Sequence, residues 1–383
     1  MYKIIISGGG TGGHIFPALS IACEIQRRFP SAEILFVGAE DRMEMERVPA
    51  AGFRIVGLPV CGFDRKNLFK NFKVVWRLIK SLRMAHKIVR DFKPDIAIGV
   101  GGYASGPTLW AASSLHIPIL IQEQNSFAGI TNKLLGKRAA RICVAYRGMG
   151  RFFPENRVVL TGNPVRKELE TIREKDTEAY DYFGLTPDKP ILLIIGGSLG
   201  ARTINRSICK GLKTLTDAGI QVIWQTGRND YQSLKEELAD LTDKDLIDKD
   251  MTDKDMADKI DKNVWFSDFI ARMDYAYTVA DLVISRAGAG TLSELCLLKK
   301  AVILVPSPNV AEDHQTKNAL ALSDYQAAVH VPDREAEQQL IQTAIRLLGD
   351  KEKLNALSEH IASLAQYSSA ERIVDEVVKL IEK

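Results

Sequence analysis

The densest chemistry lies at Gly8-Gly9-Gly10-Thr11-Gly12-Gly13-His14, directly after the apolar run KIIIS at 3–7. Glycines let a backbone take positive φ and approach a ligand closely. A helix starting there presents unpaired N–H groups and a partial positive charge, which suits a phosphate. Gly8, Gly10 and Gly13 also satisfy the dinucleotide fingerprint GxGxxG, so an NAD(P)-dependent enzyme and a structural tight turn both stand as alternatives. His14 sits at the helix start. A general base must titrate near neutral pH and reach a substrate hydroxyl; a helix-terminal histidine without a chemical role is the plainer reading.

The glycine device recurs. Gly196-Gly197-Ser198-Leu199-Gly200-Ala201 follows the run ILLII at 191–195. Two such turns fit two phosphorylated substrates better than one dinucleotide. A third segment, SRAGAGTLSE at 285–294, ends an apolar run in small residues and opens a helix near Thr291. Its amides can bind a diphosphate and Glu294 can accept hydrogen bonds from ribose hydroxyls, or Thr291 and Glu294 form a T-x-x-E capping box. GVGGYASGP at 99–107 is another glycine-rich strand end, and Glu123-Gln124-Asn125 follows PILIQ at 118–122, where open α/β sheets place ligands. Both can also be simple loop chemistry.

These loops need strands behind them. Short apolar runs at 3–7, 33–37, 95–100, 118–122 and 141–145 alternate with helix-length amphipathic stretches, then restart at 191–195, 221–224, 282–285 and 301–305. That rhythm predicts doubly wound parallel sheets in two α/β domains. TGNPVR at 161–166 places the boundary near Asn163, and a cleft between two such domains is a common ligand site. A chain of 383 residues can fill two cores.

The net charge of +3 conceals an asymmetry: residues 1–166 carry 24 Lys and Arg against 11 Asp and Glu, a net of +13, and the remainder carries a net of −10. The first domain therefore suits an anionic partner such as a membrane, a nucleic acid or a phosphorylated substrate. No nucleic-acid recognition motif is present. Cys23, Cys61, Cys143, Cys209 and Cys296 are scattered without a CxxC pair, which fits small buried residues in a reducing compartment. The start lacks signal-peptide character, and no apolar run reaches transmembrane length. Asp243, Asp248, Asp253 and Asp258 recur within TDKDLIDKDMTDKDMADKIDK, read as a solvated surface insertion whose alternating lysines make it a poor metal site. Between Asp64 and Lys93, Phe69, Phe72, Trp76 and Ile79 follow 3,4,3 spacing among many Lys and Arg. That pattern describes an interfacial membrane helix or a core helix with a basic outer face.

In order along the chain, GGGTGGHIFPAL, GVGGYASGP, EQNSFAGITNK, TGNPVR, GGSLGA, SRAGAGTLSEL and AEDHQTKNAL resemble the MurG family, bacterial transferases that add N-acetylglucosamine to an undecaprenyl-diphosphate-linked muramyl peptide. The Asp/Lys insertion matches no motif of that family. The resemblance implies a GT-B fold of two Rossmann-like domains with a cleft. Residues 1–163 and a returning C-terminal helix at about 365–383 would face the lipid acceptor and membrane, and 164–364 would hold UDP-N-acetylglucosamine. It implies donor contacts at Thr11, Gly12, Gly13, Asn125, Arg166, Ser198, Ile270 (uracil), Ala289, Gly290, Thr291, Leu292, Ser293, Glu294 (ribose) and Gln315 (sugar). It implies His14 as base with Glu123 as helper, and acceptor contacts at Gly101, Gly102, Tyr103 and Ser105. It further implies a reaction that inverts the donor's α-linkage, needs no metal or other cofactor, and converts lipid I to lipid II in peptidoglycan synthesis. The expected partners are the two substrates, an anionic membrane surface at the cytoplasmic face of the inner membrane and a cell-wall synthesis complex, with no nucleic acid.

Overall fold

The computed structural model describes residues 1–60, 71–166, 169, 177–197, 199–240 and 262–382. Cys61, Phe69, Ser198 and the Asp/Lys repeat lie outside the described residues, as does the side chain of Phe72. The chain forms two compact units, Met1–Arg166 with Gln366–Lys383, and Lys167–Ala365.

The first unit runs β1 (Lys3–Ser7), α1 (Gly12–Arg28), β2 (Glu33–Ala39), α2 (Glu44–Ala50), β3 (Arg54–Leu58), α3 (Asn71–Phe92), β4 (Ile96–Gly99), α4 (Ser105–Ser114), β5 (Ile119–Glu123), α5 (Ile130–Gly136), β6 (Arg141–Val144) and β7 (Val158–Leu160). Its seven strands lie in the order β3-β2-β1-β4-β5-β6-β7, and every neighbouring pair is parallel. Side chains of a strand alternate between sheet faces. Ile4 and Ile6 of β1 accordingly join the core with Ile21 and Ile25 of α1, while Ile5 faces Ala85 and Val89 of α3 and Leu109 of α4. With both faces covered, β1 can be almost wholly aliphatic.

The second unit runs α6 (Thr177–Phe183), β8 (Ile191–Ile195), α7 (Arg202–Asp217), β9 (Gln221–Gln225), α8 (Tyr231–Asp240), β10 (Val264–Ser267), α9 (Met273–Val279), β11 (Leu282–Ser285), α10 (Ala289–Leu297), β12 (Val302–Leu304), α11 (His314–Ser323), β13 (Val329–His330), α12 (Ala336–Leu348) and α13 (Lys351–Ala362). Its parallel strands are ordered β10-β9-β8-β11-β12-β13. The last helix, α14 (Ser369–Ile381), belongs to the first unit, where Ile373, Val374 and Val377 enter the core beside α1.

Three expectations change. Strands β3, β7, β10 and β13 had no counterpart among the apolar runs. Cys23 is exposed rather than buried, whereas Cys143, Cys209 and Cys296 are buried. The helix after β11 opens at Ala289 with Gly288 as its N-cap, so Thr291 and Glu294 stand inside it and form no capping box. No helix among the described residues is long and apolar enough to cross a membrane.

Candidate active site

Each sheet changes its winding direction at one place, between β1 and β4 in the first unit and between β8 and β11 in the second. Ligands of open α/β sheets gather at the carboxyl ends of the strands beside such a point. The loops after β1 and β4, and those after β8 and β11, are the four glycine-rich segments.

In the first unit the two loops nest. Gly101 and Gly102 take φ of +92° and +85°. A Cβ on Gly102 would stand 2.3 Å from the Gly9 carbonyl oxygen, and one on Gly101 would stand 2.9 Å from His14 Nε2. Both glycines are thus required by close approach of the first loop. His14, two residues into α1, sets Nδ1 3.1 Å from the Gly9 carbonyl oxygen and 3.2 Å from Thr11 Oγ1. A carbonyl oxygen only accepts, so this bond puts the proton of the neutral ring on Nδ1 and the basic lone pair on Nε2. Thr11 and Gly13 are exposed and Gly12 half-buried, and Tyr103 is exposed beside them in sequence with the second loop. Ser105 is fully buried, and its hydroxyl donates to the Gly102 carbonyl at 3.0 Å. Its side chain holds the glycine turn.

The sequence reading missed Glu44. Its carboxylate, 1% exposed, accepts from the Gly10 amide through Oε1 at 3.1 Å and Oε2 at 3.0 Å, and from the Ala39 amide at 2.9 Å. A protein carboxylate therefore occupies the amide that a dinucleotide phosphate would need. The GxGxxG match is not a nicotinamide site.

Glu123 ends β5 and is 2% exposed. Its oxygens accept from the amides of Asn125 and Gly129, each at 3.1 Å, and from Asn132 Nδ2 at 2.9 Å. Burial pushes its carboxyl up against the opposing pull of these donors. This geometry organises the loop carrying Asn125. Beneath it, buried Asn163 joins the same strand ends, accepting from Gln122 Nε2 at 2.9 Å and donating to the Gln124 carbonyl at 3.0 Å. Arg166, exposed, closes the unit.

In the second unit, Gly197 and Gly200 take φ of +81° and +88°. A Cβ on Gly200 would meet the Thr226 carbonyl oxygen at 2.4 Å, so this turn packs on the loop after β9. Across the switch point the segment before α10 is fixed by Arg286, which donates to the carbonyls of Val305 at 3.0 Å and Pro306 at 3.2 Å and pairs with Asp333. Asn318 Nδ2 holds the Ala287 carbonyl at 3.2 Å. The amides of Ala289, Gly290 and Thr291 form the first turn of α10, where the helix dipole favours an anion. Leu292 is a core side chain, and the Ser293 hydroxyl donates back to the Ala289 carbonyl at 3.0 Å. Glu294 accepts from the hydroxyl of buried Tyr277 at 3.0 Å. Ile270 is buried and its amide donates to Gln225 Oε1 at 3.1 Å. Gln315 Oε1 accepts from the Ser307 amide at 2.8 Å. Among the described residues no His, Cys, Asp or Glu group is arranged to hold a metal ion.

The two Rossmann-like sheets, with glycine loops at both switch points, have the GT-B architecture, and the chain matches glycosyltransferase families of that class. Residues 4–144 match the glycosyltransferase family 28 N-terminal domain and residues 191–373 the family 28 C-terminal domain. The UDP-N-acetylglucosamine–N-acetylmuramyl-(pentapeptide) pyrophosphoryl-undecaprenol N-acetylglucosamine transferase of Parabacteroides distasonis is 60% identical over 382 residues, covering 100% of this chain and 99% of that one. The transferase of the same description from Porphyromonas gingivalis is 54% identical over 99% of this chain and 96% of its own. Among solved structures, Acinetobacter baumannii MurG superposes with a TM-score of 0.74 at 27% identity, over 99% of this chain and 100% of that one. The calicheamicin glycosyltransferase CalG4, at 16% identity and a TM-score of 0.70 over 100% of this chain and 98% of its own, shares the fold. The chain belongs to the MurG family of UDP-N-acetylglucosamine transferases.

Proposed function

We propose that this chain is an inverting hexosyltransferase that moves N-acetylglucosamine from UDP-N-acetylglucosamine to the 4-hydroxyl of undecaprenyl-diphosphate-linked N-acetylmuramyl-pentapeptide, the lipid I to lipid II step of peptidoglycan synthesis. Full-length likeness to transferases of that name supports the substrates. For the chemistry, the supporting observation is His14, whose Nδ1 lies 3.1 Å from the Gly9 carbonyl oxygen. In this reading the acceptor oxygen attacks C1 of the donor sugar as Nε2 takes its proton, and the C1–O bond to UDP breaks with the electron pair leaving on the diphosphate. One displacement on the opposite face turns an α-linked donor into a β-linked product.

The second unit takes the donor and the first unit takes the acceptor. The opening amides of α10, at Ala289, Gly290 and Thr291, offset the charge gathering on UDP. Glu294 takes the ribose, Ile270 the uracil and Gln315 the sugar, and Ser198 and Ser293 complete the donor contacts of that unit. Tyr103 meets the acceptor beside Gly101 and Gly102, and Glu123 holds Asn125 in place. The enzyme works as a peripheral protein at the cytoplasmic face of the inner membrane, resting on anionic lipid through the exposed Trp76 and Ile79 of α3, with Phe69 and Phe72 extending that row in sequence.

The test is transfer of labelled N-acetylglucosamine from UDP to an authentic lipid acceptor. His14→Ala should lower kcat by about 10²–10⁴, the worth of a general base, with the donor KM changed far less. A folded variant within about threefold of the parent kcat returns His14 to a structural role. UDP, and not NAD, should raise the melting temperature.

A further inference from the structure

We infer that Glu44 is a positioning residue for the transfer reaction: from outside the glycine loops it fixes the carbonyl that sets the tautomer of His14. The inference rests on His14 being the base. Glu44 is the first residue of α2 and, at 1% exposure, is sealed from solvent. Buried carboxylates require several donors to offset lost hydration, and Glu44 takes them from the loop after β1 and the end of β2. Both oxygens receive the Gly10 amide, at 3.1 and 3.0 Å, and Oε1 also receives the Ala39 amide at 2.9 Å.

The surroundings are shaped for this carboxylate. A Cβ on Gly9 would stand 2.0 Å from Glu44 Oε1, and one on Gly38 would stand 2.6 Å from its Cγ. On its other side Gly9 meets Gly102, where an added Cβ would reach the Gly9 carbonyl oxygen at 2.3 Å. The Gly9–Gly10 peptide is thus gripped by Glu44 through its N–H side and walled by Gly102 beside its carbonyl neighbour. That grip matters because Gly9 and Gly10 have φ of +150° and +88°, a region in which glycine has wide freedom and a loop has little stiffness of its own. The Gly9 carbonyl so held is the partner of His14 Nδ1 at 3.1 Å. An imidazole whose Nδ1–H is committed presents its lone pair at Nε2.

Glu44→Gln tests the link. Glutamine keeps one acceptor oxygen, which at the Oε1 position still serves Gly10 and Ala39, and turns an NH2 toward the Gly10 N–H in place of Oε2, so the two-oxygen grip on the Gly10 amide is lost while the side-chain volume is kept. Long-range proton–nitrogen NMR on histidine-labelled protein reads the tautomer at about pH 8.5, where unperturbed imidazole is neutral, and the His14 signal is assigned by its loss in His14→Ala. The parent should carry the His14 proton on Nδ1; a parent protonated on Nε2 overturns the inference without any variant. Glu44→Gln should populate the other tautomer, and kcat should fall about 10–100-fold, the scale of sub-ångström misplacement of a reacting group, with the donor KM within about twofold. In the His14→Ala background the same change should cost less than about threefold, because coupled residues are not additive. A folded Glu44→Gln protein that keeps the Nδ1 proton and the parent kcat overturns the inference. A shifted tautomer with unchanged kcat upholds the Glu44 link and removes His14 as the base. If glutamine prevents folding, Glu44→Asp, which draws both acceptors back by one methylene, carries the same comparison.

Discussion

A Cβ on Gly101 would lie 2.8 Å from His14 Cδ2, and one on Gly102 would meet three backbone atoms of Gly9. GVGGY is therefore shaped by the loop it packs on. The sequence displays both sets of glycines at strand ends, which made the loops legible, but it carries no sign that one set exists to admit the other. Glu44 was invisible for a related reason: its ligand amide at Gly10 lies 34 residues away, and locally it reads as an ordinary acid opening a helix. At Glu294 the structure adds a second duty to the expected one, since its Oε2 accepts from Tyr277 at 3.0 Å. Glu294→Ala should weaken UDP-N-acetylglucosamine binding by about 1.5–3 kcal/mol, the range for hydrogen bonds to a charged group, and lower stability by about 1–2 kcal/mol through the lost Tyr277 bond. Tyr277→Phe separates the two: calorimetric titration should find donor affinity close to the parent with stability reduced. Parent affinity in a folded Glu294→Ala protein removes the ribose assignment.

At the scale of elements, the strands that sequence periodicity revealed are the interior ones. The four it missed, β3, β7, β10 and β13, are the edges of the two sheets. Interior strands of a doubly wound sheet are buried on both faces and read as unbroken aliphatic runs. Edge strands are short and half-exposed, as in VVL of β7 and VH of β13, where no residue is fully buried, and their composition merges with loops. Helix α3 posed a different ambiguity, between a core face and a membrane face for the same apolar residues. Val74, Ser81, Ala85 and Val89 form the buried face, whereas Trp76 is 64% exposed and Ile79 41%. Arg77, Lys80, Arg83, Lys87 and Arg90 are exposed on the same helix. Since each basic residue near anionic lipid contributes about 1 kcal/mol, binding to phosphatidylglycerol vesicles should weaken steeply with salt. Trp76→Ser with Ile79→Ser should reduce vesicle affinity about tenfold or more while leaving the melting temperature and transfer to a short-tailed soluble acceptor near the parent values. Unchanged vesicle affinity in that variant would take α3 out of membrane docking.

At the scale of the whole molecule, the chain ends by returning to the unit where it began. The segment SAERIVDEVVKLI announces an amphipathic helix, but amphipathicity says only that one face is covered, not which sheet covers it. What fixes α14 in place is partly the core, through Ile373, Val374 and Val377, and partly a charged seam. Arg28 of α1 donates from Nη1 to Asp375 at 2.5 Å and from Nη2 to the Glu371 carbonyl at 3.0 Å. Arg28 is itself aimed by Glu24, whose Oε1 receives Arg28 Nε at 2.5 Å and Arg27 Nη2 at 2.7 Å. Arg27 first, and Arg28 with it, hold the Glu24 carboxyl below its ordinary value of 4.5 against the opposing effect of burial. A carboxyl depressed in the folded state binds fewer protons than in the unfolded chain, so its stabilisation is complete above the ordinary value and is lost as pH falls through the depressed one. Acid should therefore loosen the docking of α14 below about pH 4.5. Hydrogen-exchange protection factors for amides of α14 should decline over that window. Glu24→Gln should lower them at neutral pH and flatten the decline, because the carboxyl that aims Arg28 is gone. A variant whose α14 keeps the parent's neutral-pH protection and the parent's acid decline would show that Glu24 has no part in seating the helix.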